Sequence, residues 1–183
     1  MKGVIIYKSK YGATAQYARW LSAELNLDYF ETNELDNDDL DEYDYLILGT
    51  SIYVGKMLLK NWLKSHLPQI LSKKIFLFSV CGTPVDQKNK LNSYVSASVP
   101  EEIRNKCDIF FLPGKLKIKE LSLLDRFILK IGANLAKGAA TKKAMLTDYD
   151  AVKKENLLDL INAVNKIAQV NYKTLESVSK SNR

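Results

Sequence analysis

An α/β fold built on a doubly wound, five-stranded parallel sheet is expected from three observations. Short runs rich in β-branched and apolar residues alternate with segments of helical periodicity. Several of those runs are too continuously apolar for a sheet with one wet face, and fit parallel strands covered on both faces. Three of them end in loops rich in Gly, Ser and Thr, and in such sheets ligands gather outside the carboxyl ends of the strands.

The first strand is expected at 3–7, Gly3-Val4-Ile5-Ile6-Tyr7. The stretch Ser9, Lys10, Tyr11, Gly12, Ala13, Thr14 follows, and then a helix with Tyr17, Ala18, Leu21 and Leu25 on one face. A tight strand-to-helix turn with hydroxyls at both ends and a glycine inside suits phosphate, because the N–H groups that open a helix carry partial positive charge. An ordinary βα turn uses the same residue types. The stretch lacks both the P-loop and the G-x-G-x-x-G spacing, so it is sized for a single phosphate.

A polar second strand at 28–32 belongs near a sheet edge, and an acidic loop follows it. The third strand, 43–49, runs into a second loop, Thr50, Ser51, Ile52, Tyr53, Val54, Gly55. Residues 56–67 read as a helix with Leu59, Trp62 and Leu63 inward, stopped near Pro68. The fourth strand, 74–80, carries Ser79 and Val80 into a third loop, Cys81, Gly82, Thr83, Pro84. A helical region at 88–106 is interrupted at Pro100, and the fifth strand spans 107–112. The last helix, 151–170, has Leu157, Leu160, Ile161, Val164 and Ile167 at helical spacing, and 173–183 is a polar tail. The expected organisation is a single domain over 1–172 with an insertion at 114–143.

With 183 residues, 46% of them hydrophobic, the chain can bury a full core. No run reaches the length of a membrane span and the start lacks a leader's apolar region, so a cytoplasmic protein is expected. Cys81 and Cys107 have no metal-ligand spacing, which favours a reduced compartment without a disulfide and no metal site. His66, one turn from Trp62, reads as a packed or capping residue.

The net charge of +6 is local. Residues 28–44 hold nine acids and no Lys or Arg, whereas 114–143 holds eight bases against two acids and alone accounts for the whole excess. Such a surface faces something anionic. No nucleic-acid motif accompanies the charge.

The insertion is too long for a structureless loop. Its centre places Leu121, Leu124, Ile128, Ile131 and Leu135 at helical spacing, with Phe127 beside them and Arg126, Lys130, Asn134 and Lys137 mainly elsewhere on the wheel. Two readings of this basic amphipathic helix stay open. It either packs on the sheet edge with a solvated basic face, or docks on an anionic membrane or an acidic apolar substrate. Residues 144–147 are expected to resume the fifth strand.

Taken together, Ser9-x-x-Gly12-x-Thr14 after the first strand and Gly49-Thr50-Ser51-Ile52-Tyr53-Val54-Gly55 after the third resemble the two flavin loops of flavodoxins. The resemblance covers nearly the whole chain. It implies strand order 2-1-3-4-5 and bound FMN, with Ser9, Lys10, Tyr11, Gly12, Ala13 and Thr14 around the phosphate. Thr50, Ser51, Ile52, Tyr53, Val54 and Gly55 would line one side of the isoalloxazine, and Ser79, Val80, Cys81, Gly82 and Thr83 the other. Tyr53 offers a flat ring to stack on flavin with its hydroxyl toward water. Gly82 would let a backbone group approach the flavin edge, and Cys81 reads as a small packing residue.

The insertion, from Pro113-Gly114-Lys115-Leu116 to Leu124-Asp125-Arg126-Phe127-Ile128-Leu129-Lys130, resembles that of the menaquinone-dependent protoporphyrinogen IX dehydrogenases. That resemblance implies an FMN-dependent oxidoreductase of haem biosynthesis that oxidises a porphyrinogen and passes electrons to a quinone. The flavin, not a side chain, would carry the chemistry. Lys115, Lys117, Arg126 and Lys130 are the substrate-binding candidates, and the basic insertion would touch the inner face of the cell membrane. The alternatives are a flavodoxin-type electron carrier without its own substrate and an NAD(P)H-dependent quinone or flavin reductase.

Overall fold

The computed structural model describes residues 1–35, 37–136 and 138–167. Strands β1 (Gly3–Lys8), β2 (Tyr29–Glu31), β3 (Tyr45–Tyr53), β4 (Lys56–Met57), β5 (Lys74–Cys81) and β6 (Asp108–Pro113) form one sheet in the order β2-β1-β3-β5-β6, with β4 hung on the end of β3. Every pairing along that path is parallel, and only β4 runs antiparallel. Setting the two-residue β4 aside, the order is the expected 2-1-3-4-5, and it reverses between β1 and β3.

Alternation along the strands sends side chains to two cores, as period-two geometry requires. On one face Ile5, Ile47, Phe76 and Phe78 meet α1 (Ala13–Leu25) and the last helix, described over 158–167, through Tyr17, Leu21, Leu157, Leu160 and Val164. On the other, Val4, Ile6, Leu46, Leu48, Ile75 and Leu77 meet α2 (Lys60–Ser65), α3 (Leu67–Ile70), α4 (Lys88–Ser98) and α5 (Glu101–Arg104) through Leu63, Ile70, Val95 and Ile103. Each fully buried aliphatic side chain contributes about 1.5–3 kcal/mol relative to exposure.

Three expectations are corrected. Residues 50–53 are not loop but the end of β3, because Ile52 and Tyr53 pair with Met57 and Lys56 across a turn at Val54 and Gly55, both with positive φ (46° and 75°). That two-residue turn matches the twist of a hairpin, so 56–57 is a strand and the helix begins at Lys60. Second, the helix does stop just before Pro68, α2 ending at Ser65, but Pro68 then opens a further short helix, α3, in whose first turn its missing N–H costs nothing. His66, at the junction, stacks on Trp62 with centroids 4.3 Å apart. Third, 144–147 does not resume the fifth strand. Ala144 and Met145 close α7 (Ala139–Met145). The insertion leaves through β7 (Lys115–Leu116), passes through α6 (Leu123–Leu135) and α7, and returns through β8 (Tyr149–Asp150), antiparallel to β7. The preceding 151–153 is not helical, and the last helix starts with a 3-10 turn at Lys154–Leu157. Lys137, the end of the last helix at 168–170 and the tail 173–183 lie outside the described residues.

Candidate cofactor site

The phosphate-type turn forms because Gly12 takes φ 79°, a left-handed conformation that costs other residues about 1 kcal/mol or more. Its N–H donates to Ser9 Oγ at 3.2 Å, closing the turn. Thr14 then enters α1 fully buried, and its Oγ1 finds no hydrogen-bond partner. An orphaned buried hydroxyl beside uncapped helical N–H groups is an expensive arrangement in isolation, costing about 1–3 kcal/mol. A phosphate seated in the turn would satisfy it. Across the turn, Lys115 Nζ lies 4.0 Å from where a Cβ on Gly12 would stand. A cation from the insertion therefore faces the phosphate loop, and among the described residues no ion pair engages it.

The second loop contributes less than expected. Thr50 is fully buried and spends Oγ1 accepting from Leu59 N–H at 3.2 Å, so it braces the chain's return. Ile52 packs into the core, and exposed Val54 forms the hairpin tip. Ser51 and Tyr53 point to the other face of β3, the face of α1. In the third loop Ser79 and Val80 are buried in β5, Ser79 with an unpartnered Oγ. Cys81 is buried and donates to the Thr83 carbonyl, and burial pushes its thiol up from its ordinary pKa, as fits a packing residue. Thr83 Oγ1 meets Tyr94 Oη at 3.2 Å, and Tyr94 also lies against Gly55, so α4 joins the second and third loops.

The space above Gly82 holds a side chain, not an approaching backbone group. A Cβ there would fall 2.3 Å from Tyr149 Oη. The insertion's returning strand thus seats its tyrosine on the third loop.

The largest departure concerns Tyr53 and Asp125. Tyr53 does not send its hydroxyl to water; it donates to Asp125 Oδ1 at 2.6 Å. Lys10 Nζ pairs with the same carboxylate at 2.8 Å, and Tyr11 Oη donates to it as well. Asp125 is only 6% exposed. Burial by itself would push its carboxyl up, but hydrogen bonds from Lys10, Tyr11 and Tyr53 outweigh that and hold it well below the usual carboxylate range. Lys10 Nζ also sits 3.5 Å from the Tyr53 ring centroid, covering one face of the ring. Ser122 caps α6 by accepting from Asp125 N–H at 3.1 Å, and its own N–H reaches Tyr11 Oη.

With that network Asp125 of the first turn of α6 points inward, while most of the helix's apolar side chains face outward. Leu124, Phe127, Ile131 and Leu135 are 65%, 61%, 44% and 79% exposed. Leu121 and Ile128 of the expected stripe are half-buried, so it is the Leu124, Phe127, Ile131 and Leu135 side that stays off the sheet edge. The four basic candidates are spent differently. Lys115 faces the phosphate loop, Lys117 pairs with Glu120 at 3.2 Å, Arg126 binds the carbonyls of Leu121 and Lys119, and Lys130 is exposed on α6.

Among the described residues no group of three or more His, Cys, Asp or Glu could hold a metal, and no helix is long and apolar enough to cross a membrane. Asp125, Tyr94 and Tyr149 were not foreseen as site residues. Only the Ser122-x-x-Asp125 spacing, a helix-start signature, hinted at the first.

A doubly wound parallel sheet in this order, with a tight left-handed turn into α1 at its switch point, is the architecture of a flavodoxin-type protein. The model of the flavodoxin domain family matches residues 4–143, and the chain belongs to that family. It is 29% identical over 133 residues to an uncharacterized protein of Methanocaldococcus jannaschii, covering 71% of this chain and 75% of the relative. It is 22% identical over 164 residues to protoporphyrinogen IX dehydrogenase [quinone] of Escherichia coli strain K12, covering 83% and 91%. Among solved structures, a flavodoxin from the domain Archaea aligns with TM-score 0.38 and 23% identity over 51% of this chain and 75% of that one. FMN is the cofactor of this family, and the residues present fit it: an open left-handed Gly12, a buried Thr14 hydroxyl without a partner, and Lys115 opposite.

Proposed function

We propose that this flavoprotein oxidises an apolar, anionic small molecule of the porphyrinogen class and passes the electrons to a quinone. The observation that carries the reading is the placement of α6, which anchors beside the cofactor loops through Asp125 while turning Leu124, Phe127, Ile131 and Leu135 to solvent. An apolar platform next to a redox centre is what a broad hydrophobic substrate needs, and a free-standing carrier has no use for it. Similarity at 22% identity to the porphyrinogen dehydrogenase supports the same reading.

FMN, when bound, accepts and donates the electrons. Ser9, Thr14, the N–H groups of the 9–14 turn and Lys115 would hold its phosphate, and Tyr53 would offer its uncovered face to the ring. Lys130, Lys142 and Lys143 flank the apolar stripe in sequence, a composition suited to an anionic lipid surface where a quinone is dissolved.

Anaerobic mixing of protoporphyrinogen with FMN-loaded protein tests the reading. Bleaching of the flavin with growth of the porphyrin spectrum is expected. A flavin that stays oxidised with porphyrinogen, yet is reduced by a generic flavin reductase, would establish the carrier instead. Replacing Leu124, Phe127 and Ile131 by Gln should leave flavin content intact while abolishing porphyrinogen turnover and sedimentation with anionic vesicles.

A further inference from the structure

Of the insertion's four candidate cations, three are spent. Lys117 pairs with Glu120, Arg126 donates to the carbonyls of Leu121 and Lys119, and Lys115 faces the phosphate loop. That leaves Lys130 alone for the acid groups of the proposed substrate. Free cations stand instead beside Tyr53. Between Asp44 and Asp86 the chain has five lysines and no Asp or Glu. Of these, Lys73 donates to the Tyr43 carbonyl and Lys74 pairs with Asp108. Lys56 and Lys60 engage no acid among the described residues.

These two lysines border a cleft of about 320 Å³ whose lining also includes Tyr53, Val54, Met57 and Leu58. Its shape follows from the hairpin. Lys56 pairs with Tyr53 across β3 and β4, and directly opposed residues carry their side chains on the same face. Lys60 opens α2 four residues later, and backbone bonds fix the segment between. Met57 N–H donates to Ser98 Oγ at 2.9 Å, Leu58 N–H to the Ser51 carbonyl at 3.1 Å, and Leu59 N–H to Thr50 Oγ1 at 3.2 Å. Two cations on a braced frame with apolar side chains between them suit an apolar molecule with carboxylates at its rim. We propose that this cleft is the acid-binding part of the substrate site, with Lys56 and Lys60 holding the carboxylates of the porphyrinogen. The assignment rests on the porphyrinogen reading above. Tyr53 belongs both to the cleft and to the second cofactor loop, so a substrate edge held here lies beside residues assigned to the flavin. The volume is near the lower end for small-molecule sites, so the cleft takes that edge and not the whole macrocycle.

The test uses FMN-loaded protein and the fluorescence anisotropy of two probes in the same neutral detergent. One is protoporphyrin IX, the stable oxidised form of the substrate; the other is its dimethyl ester, which keeps the ring and removes both charges. The double variant Lys56→Gln, Lys60→Gln should bind the free acid about ten-fold more weakly, as the loss of two exposed charge pairs implies, and the ester as wild type does. A charge-matched control, Lys106→Gln with Lys166→Gln, removes two exposed cations at the opposite end of the sheet, where Lys166 borders a hollow with Lys74 and Asp108. It should bind both probes as wild type does. Undiminished affinity of the cleft variant for the acid, an equal loss for the ester, or an equal loss in the control would overturn the cleft assignment and leave the porphyrinogen reading standing. Wild-type protein that binds neither probe would overturn both.

Discussion

Substituting Gly82 by Ala places a methyl group 2.3 Å from Tyr149 Oη but 3.5 Å from Tyr149 Cζ. The first distance is deep overlap and the second is ordinary contact. The conflict therefore belongs to one atom, the tyrosine oxygen, and Tyr149→Phe removes it. Among the described residues no hydrogen bond engages that hydroxyl, so the Tyr149→Phe change alone should cost under about 0.5 kcal/mol. Gly82→Ala alone must push the tyrosine ring off the loop or shift β8, a form of overpacking that costs about 1–3 kcal/mol. Tyr149 is 39% exposed, so the ring can give way outward and the lower half of that range is expected. For a chain of this size about 1 kcal/mol corresponds to a fall of roughly 2–4 °C in Tm. In the double variant the alanine methyl meets only the ring carbon, and most of the loss should return. Thermal unfolding of the four proteins gives a coupling of about 1 kcal/mol or more if Tyr149 sits on Gly82. Strictly additive losses would refute the contact and free the third loop from the insertion.

Three further outcomes follow from the geometry. Thr14→Val removes a buried hydroxyl without a partner, so the apoprotein should hold or gain Tm while FMN affinity falls about ten-fold, roughly 1.4 kcal/mol; unchanged affinity by fluorescence titration would dismiss the phosphate assignment. Ser122→Ala removes the side-chain cap of α6 and should raise amide exchange in its first turn, corresponding to about 1 kcal/mol, with exchange in α1 as the unchanged control. Asp125 has a folded pKa lowered from its ordinary value, so its stabilisation is complete above the unfolded carboxylate range and is lost as pH falls through that range and below. Protection of α6 should therefore weaken on acidification in the wild type and be flat with pH in Asp125→Asn.

The acidic 28–44 segment illustrates how composition is read and where it stops. Its charge is plain in the sequence, yet packing fixes its place: Leu40 and Tyr43 are buried in the core, Phe30 and Leu35 pack against it, and its edge strand β2 pairs with β1. Asp125 shows the converse. In the sequence it is a single acid within a basic amphipathic helix, and averaging over the helix hides it.

The strand order is legible only through the resemblance to flavodoxins; by itself the sequence determined the parallel sheet and the tight turn after its first strand. Those features are local or periodic: apolar runs of strand length, helical spacing in Tyr17, Ala18 and Leu21, and a glycine where the backbone must turn left-handed at position 12. Tertiary structure alone decided which way the insertion faces. Helical periodicity identifies an apolar stripe but cannot say that it stays in water, because the outcome depends on a carboxylate meeting Lys10, Tyr11 and Tyr53 from more than seventy residues away. It likewise decided that Thr50 braces the backbone and Tyr149 occupies Gly82. Contacts between distant segments leave no period in the chain, and they set the surroundings of the cofactor loops.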